Sequence, residues 1–225
     1  MTLYRSTGIL LIALPIAFNV LFFALGRAFD YPAILRQPTD TILRRFAAGG
    51  QRLVTLWYLF AFTALLAVPL ALLLQYIFPE QPELAAASAL MGVLSGLVQA
   101  MGLLRWPLLM PSLAGQYLAD GATAAARDAV GVVFQAFHQY MGVVVGEHLG
   151  YLFTGAWTIL IGVMMLTSPL FSPVLGIIGI VAAAGILIGL LEPAGWKPAG
   201  AINALSYIAW SLWLIAAGLT LGVAS

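Results

Sequence analysis

Long apolar runs separated by short polar connections set the pattern of this chain. Six runs, Thr7–Leu25, Leu53–Phe78, Leu84–Leu104, Leu149–Leu166, Pro173–Leu191 and Ala201–Val223, stand out. Each comes close to or exceeds the roughly 20 helical residues needed to cross a bilayer core about 30 Å thick. Inside hydrocarbon every backbone N–H and C=O needs an internal partner, so each run reads as a helix. Barrel strands would alternate apolar and polar residues, and these runs do not. The pattern predicts an all-α fold, a polytopic membrane helix bundle with six transmembrane helices. It forms a single domain over residues 1–225. The first run outlasts the 7–15 apolar residues of a signal peptide, so it reads as a span despite the small residues around Ala24 and Gly26.

Two connections carry helical patterns of their own. In the first, Thr39 or Asp40 suits a helix entrance, Ile42, Leu43 and Phe46 share a face beside Arg44 and Arg45, and Gly49-Gly50 suits an exit. The spacing predicts a basic amphipathic helix over about 39–48, lying on the membrane surface. In the third, Asp120, Arg127 and His138 fall within about 20° of one another at about 100° per residue. Ala126, Val130, Val133, Phe137 and Tyr140 take the opposite arc, which predicts a second interfacial helix over about 117–140. Pro15 and Pro69 predict bends in the first and second spans.

Small residues recur every four positions in the middle of the chain. Ser88, Gly92, Gly96 and Ala100 line one ridge, and Gly142, Gly146 and Gly150 line another. Such ridges let membrane helices approach backbone to backbone, so helices three and four are expected to cross closely there. No internal repeat supports the inverted-repeat design of many transporters.

Composition agrees with a membrane protein: 63% of residues are hydrophobic and 8% charged, with a mean hydropathy of +1.04. Charge placement adds orientation. Of the 9 basic residues, Arg27, Arg36, Arg44, Arg45, Arg52, Arg105, Arg127 and Lys197 fall on one side, leaving Arg5 on the other. Lys and Arg collect on the cytoplasmic side, which predicts both termini outside. The absence of cysteine excludes disulfides, iron–sulfur clusters and thiolate zinc sites.

Charges at membrane depth are costly, which makes Arg105 and Glu147 informative. With midplanes near Leu97 and Gly155, each lies eight residues toward the basic side, about 12 Å from the centre. Matching depth predicts an ion pair between them. Trp106 and His148 adjoin the pair, and Tyr117, His138 and Tyr140 are expected to close the same region from the third connection. These residues form the candidate cluster. Two histidines ten residues apart, without HExxH spacing, do not make a metal site, and no cofactor is expected. No nucleophile elbow, phosphate loop or nucleic-acid surface occurs.

Phe29-Asp30-Tyr31-Pro32, Ile42-Leu43-Arg44-Arg45-Phe46, Gly102-Leu103-Leu104-Arg105-Trp106 with Pro111, and Gly146-Glu147-His148-Leu149-Gly150 form distinctive blocks. They resemble the bacterial integral-membrane family catalogued as domain of unknown function 4386. The resemblance runs from helix one to helix four; helices five and six are similar mainly in hydrophobicity. It implies a six-helix inner-membrane protein and transfers no activity.

Membrane lipids are the expected surroundings, and several functions fit. The leading one is a non-enzymatic protein binding a lipid or small amphiphile in a polar pocket at the cytoplasmic ends of helices three and four. An accessory subunit, packing into a larger membrane-protein complex through its glycine ridges, is a second. A small enzyme acting on lipid or quinone, with Glu147 and His148 as acid and base, is a third. Transport would need an oligomer or a path that no sequence feature marks.

Overall fold

In a computed structural model, residues 3–223 are described. The regular structure is helical, 86% of the chain, with no strand among the described residues. Six helical spans are long and apolar enough to cross a membrane: Leu3–Phe29, Thr39–Ile77, Pro82–Leu118, Ala124–Met165, Pro173–Leu191 and Ala199–Gly222. The first is α1 (Leu3–Phe29). The second joins α2 (Thr39–Leu65) to α3 (Ala67–Leu74), and the third joins α4 (Pro82–Leu108) to α5 (Met110–Leu118). The fourth runs through α6 (Ala124–Phe137), a π-helix (His138–Leu149) and α7 (Gly150–Met165). The last two are α8 (Pro173–Ile188) and α9 (Ala199–Val223).

Consecutive spans pack on one another, and α1 also packs along α9, so the bundle closes as a ring. The seam is tight because Gly8 and Gly218 face each other: a Cβ on Gly8 would stand 2.9 Å from the Gly218 carbonyl oxygen. Asn19 locks the same seam, its amide donating to Ser211 Oγ at 3.1 Å and to the Pro15 carbonyl at 2.8 Å. The second span breaks where proline chemistry requires. Pro69 has no N–H for the carbonyl four residues back, and α2 ends there, at Leu65.

The interior divides into two apolar clusters. One holds Leu11, Leu14, Trp157, Trp210 and Trp213; the other holds Phe29, Phe46, Trp57, Phe60 and Trp106 and lies at the arginine-rich end.

The two expected interfacial helices fare differently. Residues 39–48 lie on a helical segment that a non-helical Gly50 (φ 53°, ψ −153°) separates from the rest of α2. Only glycine reaches that backbone region readily, so Gly49-Gly50 ends the first helical stretch as expected, and the chain re-enters a helix in a new direction. Ile42, Leu43 and Phe46 are buried in the second cluster, so their apolar face meets protein, not lipid.

The segment at 117–140 is divided as well. Helix α5 stops at Leu118 and the chain turns at Gly121 (φ 80°). Thr123 Oγ1 then accepts from the Ala126 N–H at 3.2 Å, capping α6. From there the helix continues directly into the fourth span. Val130 and Phe134 face the bundle, whereas Val133, Phe137 and Tyr140 of the expected apolar arc are exposed.

Candidate functional site

The π-helix decides how the polar residues are presented. Its carbonyls bond five residues ahead, so each side chain is rotated less from its neighbour than in an α-helix. Wide turns of this kind are rare, and in their usual single-turn form they are frequent at functional sites. This one contains His138, Tyr140, Gly142, Gly146, Glu147 and His148, most of the residues singled out in the sequence.

Glycines bring the third span against it. A Cβ on Gly102 would stand 2.6 Å from the Gly146 Cα, a backbone-to-backbone contact. Gly150 lies against the Gln99 side chain, and Gly142 lies under the Arg105 guanidinium, 2.6 Å from where a Cβ would sit. The Gly142–Gly146–Gly150 ridge therefore faces helix three. The opposing ridge sits differently from the expected one. Gly96 faces Ala64, Ala67 and Val68 of the second span, and Gly92 fits between Ala71 and Trp157. Ala100 is buried beside them. Gly102, which no four-residue repeat marks, makes the close approach.

Arg105 and Glu147 do not form the expected ion pair. The guanidinium donates to the Gly102 carbonyl one turn back, rests on Gly142, and lies 5.3 Å from the Trp106 ring centroid. Glu147 points away, toward the fifth and sixth spans. The two charges act on each other through space without contact. Matching depth placed both groups at one level, but the bare Gly142 surface and a backbone acceptor hold the arginine on its own side.

The candidate cluster thus separates into two groups. Arg105, Trp106, Tyr117 and His138 border the aromatic core. Trp106 is 1% exposed and stacks on Trp57, with ring centroids 4.7 Å apart and planes 12° apart. His138 stacks on Phe134 at 5.5 Å, its Nδ1 buried without a partner among the described residues. Tyr117 packs on the edge of this core. Tyr31, in the connection between the first two spans, packs edge-on to Trp57 at 5.0 Å. Burial pushes its hydroxyl up to about 12, helped by the negative charge of Glu147 and opposed by Arg105.

The second group opens outward. Glu147 and His148 line a groove of about 330 Å³ with Gln139, Tyr151, Glu192 and Pro193. Gln139, Glu147 and Tyr151 follow at multiples of four residues along the fourth span; Glu192 comes from the connection after the fifth. Glu192 reaches Arg36 at 3.8 Å, while Glu147 has no ion pair or hydrogen bond among the described residues. Tyr140, at 64% exposed, belongs to neither group. Tyr151 and Glu192 were not singled out from the sequence, and Tyr31 stood there only within a family block, not as a site residue. Glu192 carried a readable signal, as the lone acid in an otherwise basic-side connection.

No group of three metal-ligating side chains forms among the described residues. Below the groove, Ser95 and Thr154 hydroxyls meet at 2.7 Å, the Gln99 amide donates to both, and Trp210 donates to Thr158 at 2.8 Å. These bonds satisfy buried polar groups between spans and act as structural ties.

Compared with known proteins, residues 6–218 match the sequence profile of a family described as Domain of unknown function (DUF4386). The match covers nearly the whole chain, including the last two spans. No curated protein and no solved structure matches it.

Proposed function

We propose that this chain, which belongs to the DUF4386 family, binds a small amphiphile with a cationic head in the groove beside Glu147. One observation carries the reading: a carboxylate on a membrane-spanning helix faces an open groove with no partner of its own among the described residues. A charge at that depth is expensive, and a bound cation would compensate it. Glu192 adds a second carboxylate on the far wall, and the Tyr151 ring offers a face to an ammonium group. Gln139 and His148 supply hydrogen bonds. The groove lies at the inner end of the fourth span against the connection between the fifth and sixth, not between helices three and four.

The glycine ridges favour this reading over an accessory subunit. Gly92, Gly96, Gly142, Gly146 and Gly150 all pack within the chain, so they are not spare surfaces for a partner.

The test is binding of dodecyltrimethylammonium to the purified protein, with dodecyl maltoside as the neutral comparison. Charge-assisted contacts contribute about 1.5–3 kcal/mol, so Glu147→Gln should weaken ammonium binding by about ten- to a hundredfold. Equal affinity of wild type and Glu147→Gln would end the proposal.

We also place both termini outside and the arginine-rich end in the cytoplasm, on the eight-to-one division of basic residues. A periplasm-active phosphatase fused after Ser225 should be active, and a fluorescent protein fused there should stay dark. The reverse pattern would invert the assignment.

A further inference from the structure

A second groove lies on the opposite flank, between α1 and α2, and its chemistry is the inverse of the first. It encloses about 800 Å³, and its lining includes Arg27, Arg52, Val20, Phe23, Ala48 and Leu56. No acidic side chain lines it.

The two arginines are uncommitted. At the same end of the bundle Arg44 is paired with Asp40 at 2.8 Å, Arg45 with Asp30 at 2.5 Å, and Arg36 with Glu192 at 3.8 Å. Arg27 and Arg52 have neither an ion pair nor a side-chain hydrogen bond among the described residues. They reach one groove because Gly50 breaks the helical path just before Arg52, so α2 brings its arginine to the last turn of α1.

Above the charges the walls turn apolar. Val20 and Phe23 are 61% and 67% exposed, facing outward from the bundle. Val20 lies about 10 Å along α1 from Arg27, toward the membrane centre. A pair of free guanidiniums below and exposed apolar side chains above is the profile of an anionic phospholipid, phosphate down and acyl chain up. Guanidinium groups suit phosphate because their planar donors engage two oxygens at once.

We infer that this groove is a binding site for an anionic phospholipid of the leaflet at the arginine-rich end. Charge complementarity commits the occupant: a zwitterionic lipid would bring its own cation to two unpaired arginines. The site is independent of the Glu147 groove and stands whether or not that groove binds a ligand.

Native mass spectrometry of the purified full chain, with palmitoyl-oleoyl phosphatidylglycerol or phosphatidylcholine added at equal concentration, tests it. The wild type should retain phosphatidylglycerol selectively. Each basic residue near an anionic headgroup contributes about 1 kcal/mol, so Arg27→Gln with Arg52→Gln should lower that retention about thirtyfold. Ala48→Trp keeps every charge but fills the groove, and should also lose the lipid. Arg127→Gln, an exposed arginine elsewhere, should keep it. Size-exclusion profiles and circular dichroism identify variants that remain folded. Unchanged retention in the folded double variant or in folded Ala48→Trp would overturn the site. So would an equal loss in Arg127→Gln, which would reduce the effect to net charge.

Discussion

Gly146→Leu should be among the most damaging single substitutions in this protein. The atom nearest a new Cβ at Gly146 is the Gly102 Cα at 3.1 Å, and the Met141 carbonyl lies at 3.2 Å. Both are backbone, so no rotamer change can make room, and the third and fourth spans would have to separate. Overpacking a tight interior typically costs about 1–3 kcal/mol. With the Gly102 backbone directly against it, the upper end of that range, or more, is expected here. The measurement is the thermal midpoint of the purified protein in detergent. Gly131→Ala is the matched control: nothing lies within 4 Å of its new Cβ, and it sits within α6. Removing an interior glycine there should be neutral or stabilise by up to about 1 kcal/mol. Equal losses from the two would show that glycine content, not close approach, governs stability.

Trp106→Ala is the second large effect. The ring is buried, stacked on Trp57, and edge-packed against Phe29 at 5.3 Å. Deleting a buried aromatic side chain costs about 3–5 kcal/mol through lost contacts and the cavity left behind. Trp106→Phe should recover most of that. It keeps an aromatic ring in the stack and removes an indole N–H that has no hydrogen-bond partner among the described residues. Urea or thermal unfolding of the two variants separates them. If phenylalanine were as harmful as alanine, ring stacking would not be what holds this end of the bundle.

The span count and the fourth-helix ridge were legible because each depends on local sequence. Length and apolarity define a span, and four-residue spacing puts Gly142, Gly146 and Gly150 on one face. Partner choice was not legible. Gly102 makes the backbone-to-backbone approach to the fourth span, yet it lies outside the Gly92–Gly96–Ala100 repeat, in which Gly96 faces the second span and Gly92 sits between the second span and Trp157. Equal depth placed Arg105 and Glu147 at one level but could not reveal which side of its helix each would face. That was decided by the wide turn and by the acceptor on Gly102. The two interfacial helices illustrate the same limit. Amphipathic periodicity showed that Ile42, Leu43 and Phe46 share a face, but protein and lipid are equally apolar partners for it. The Glu147 groove draws one wall from Glu192, 45 positions onward, and no short-range pattern reaches that far.

The seam between α1 and α9 sets an order of events during synthesis. Gly8 and Gly218 touch, yet 210 positions separate them in the chain (218 − 8). At about 5–20 residues per second, translation separates them by roughly 10–40 s. Throughout that interval the first helix sits in the bilayer with its glycine face turned to lipid, or to whatever chaperone or insertase covers it. The ring therefore cannot close span by span as it emerges. Helix α9, not α1, completes the ring, and a ribosome stalled before α9 leaves an open bundle with an exposed glycine flank.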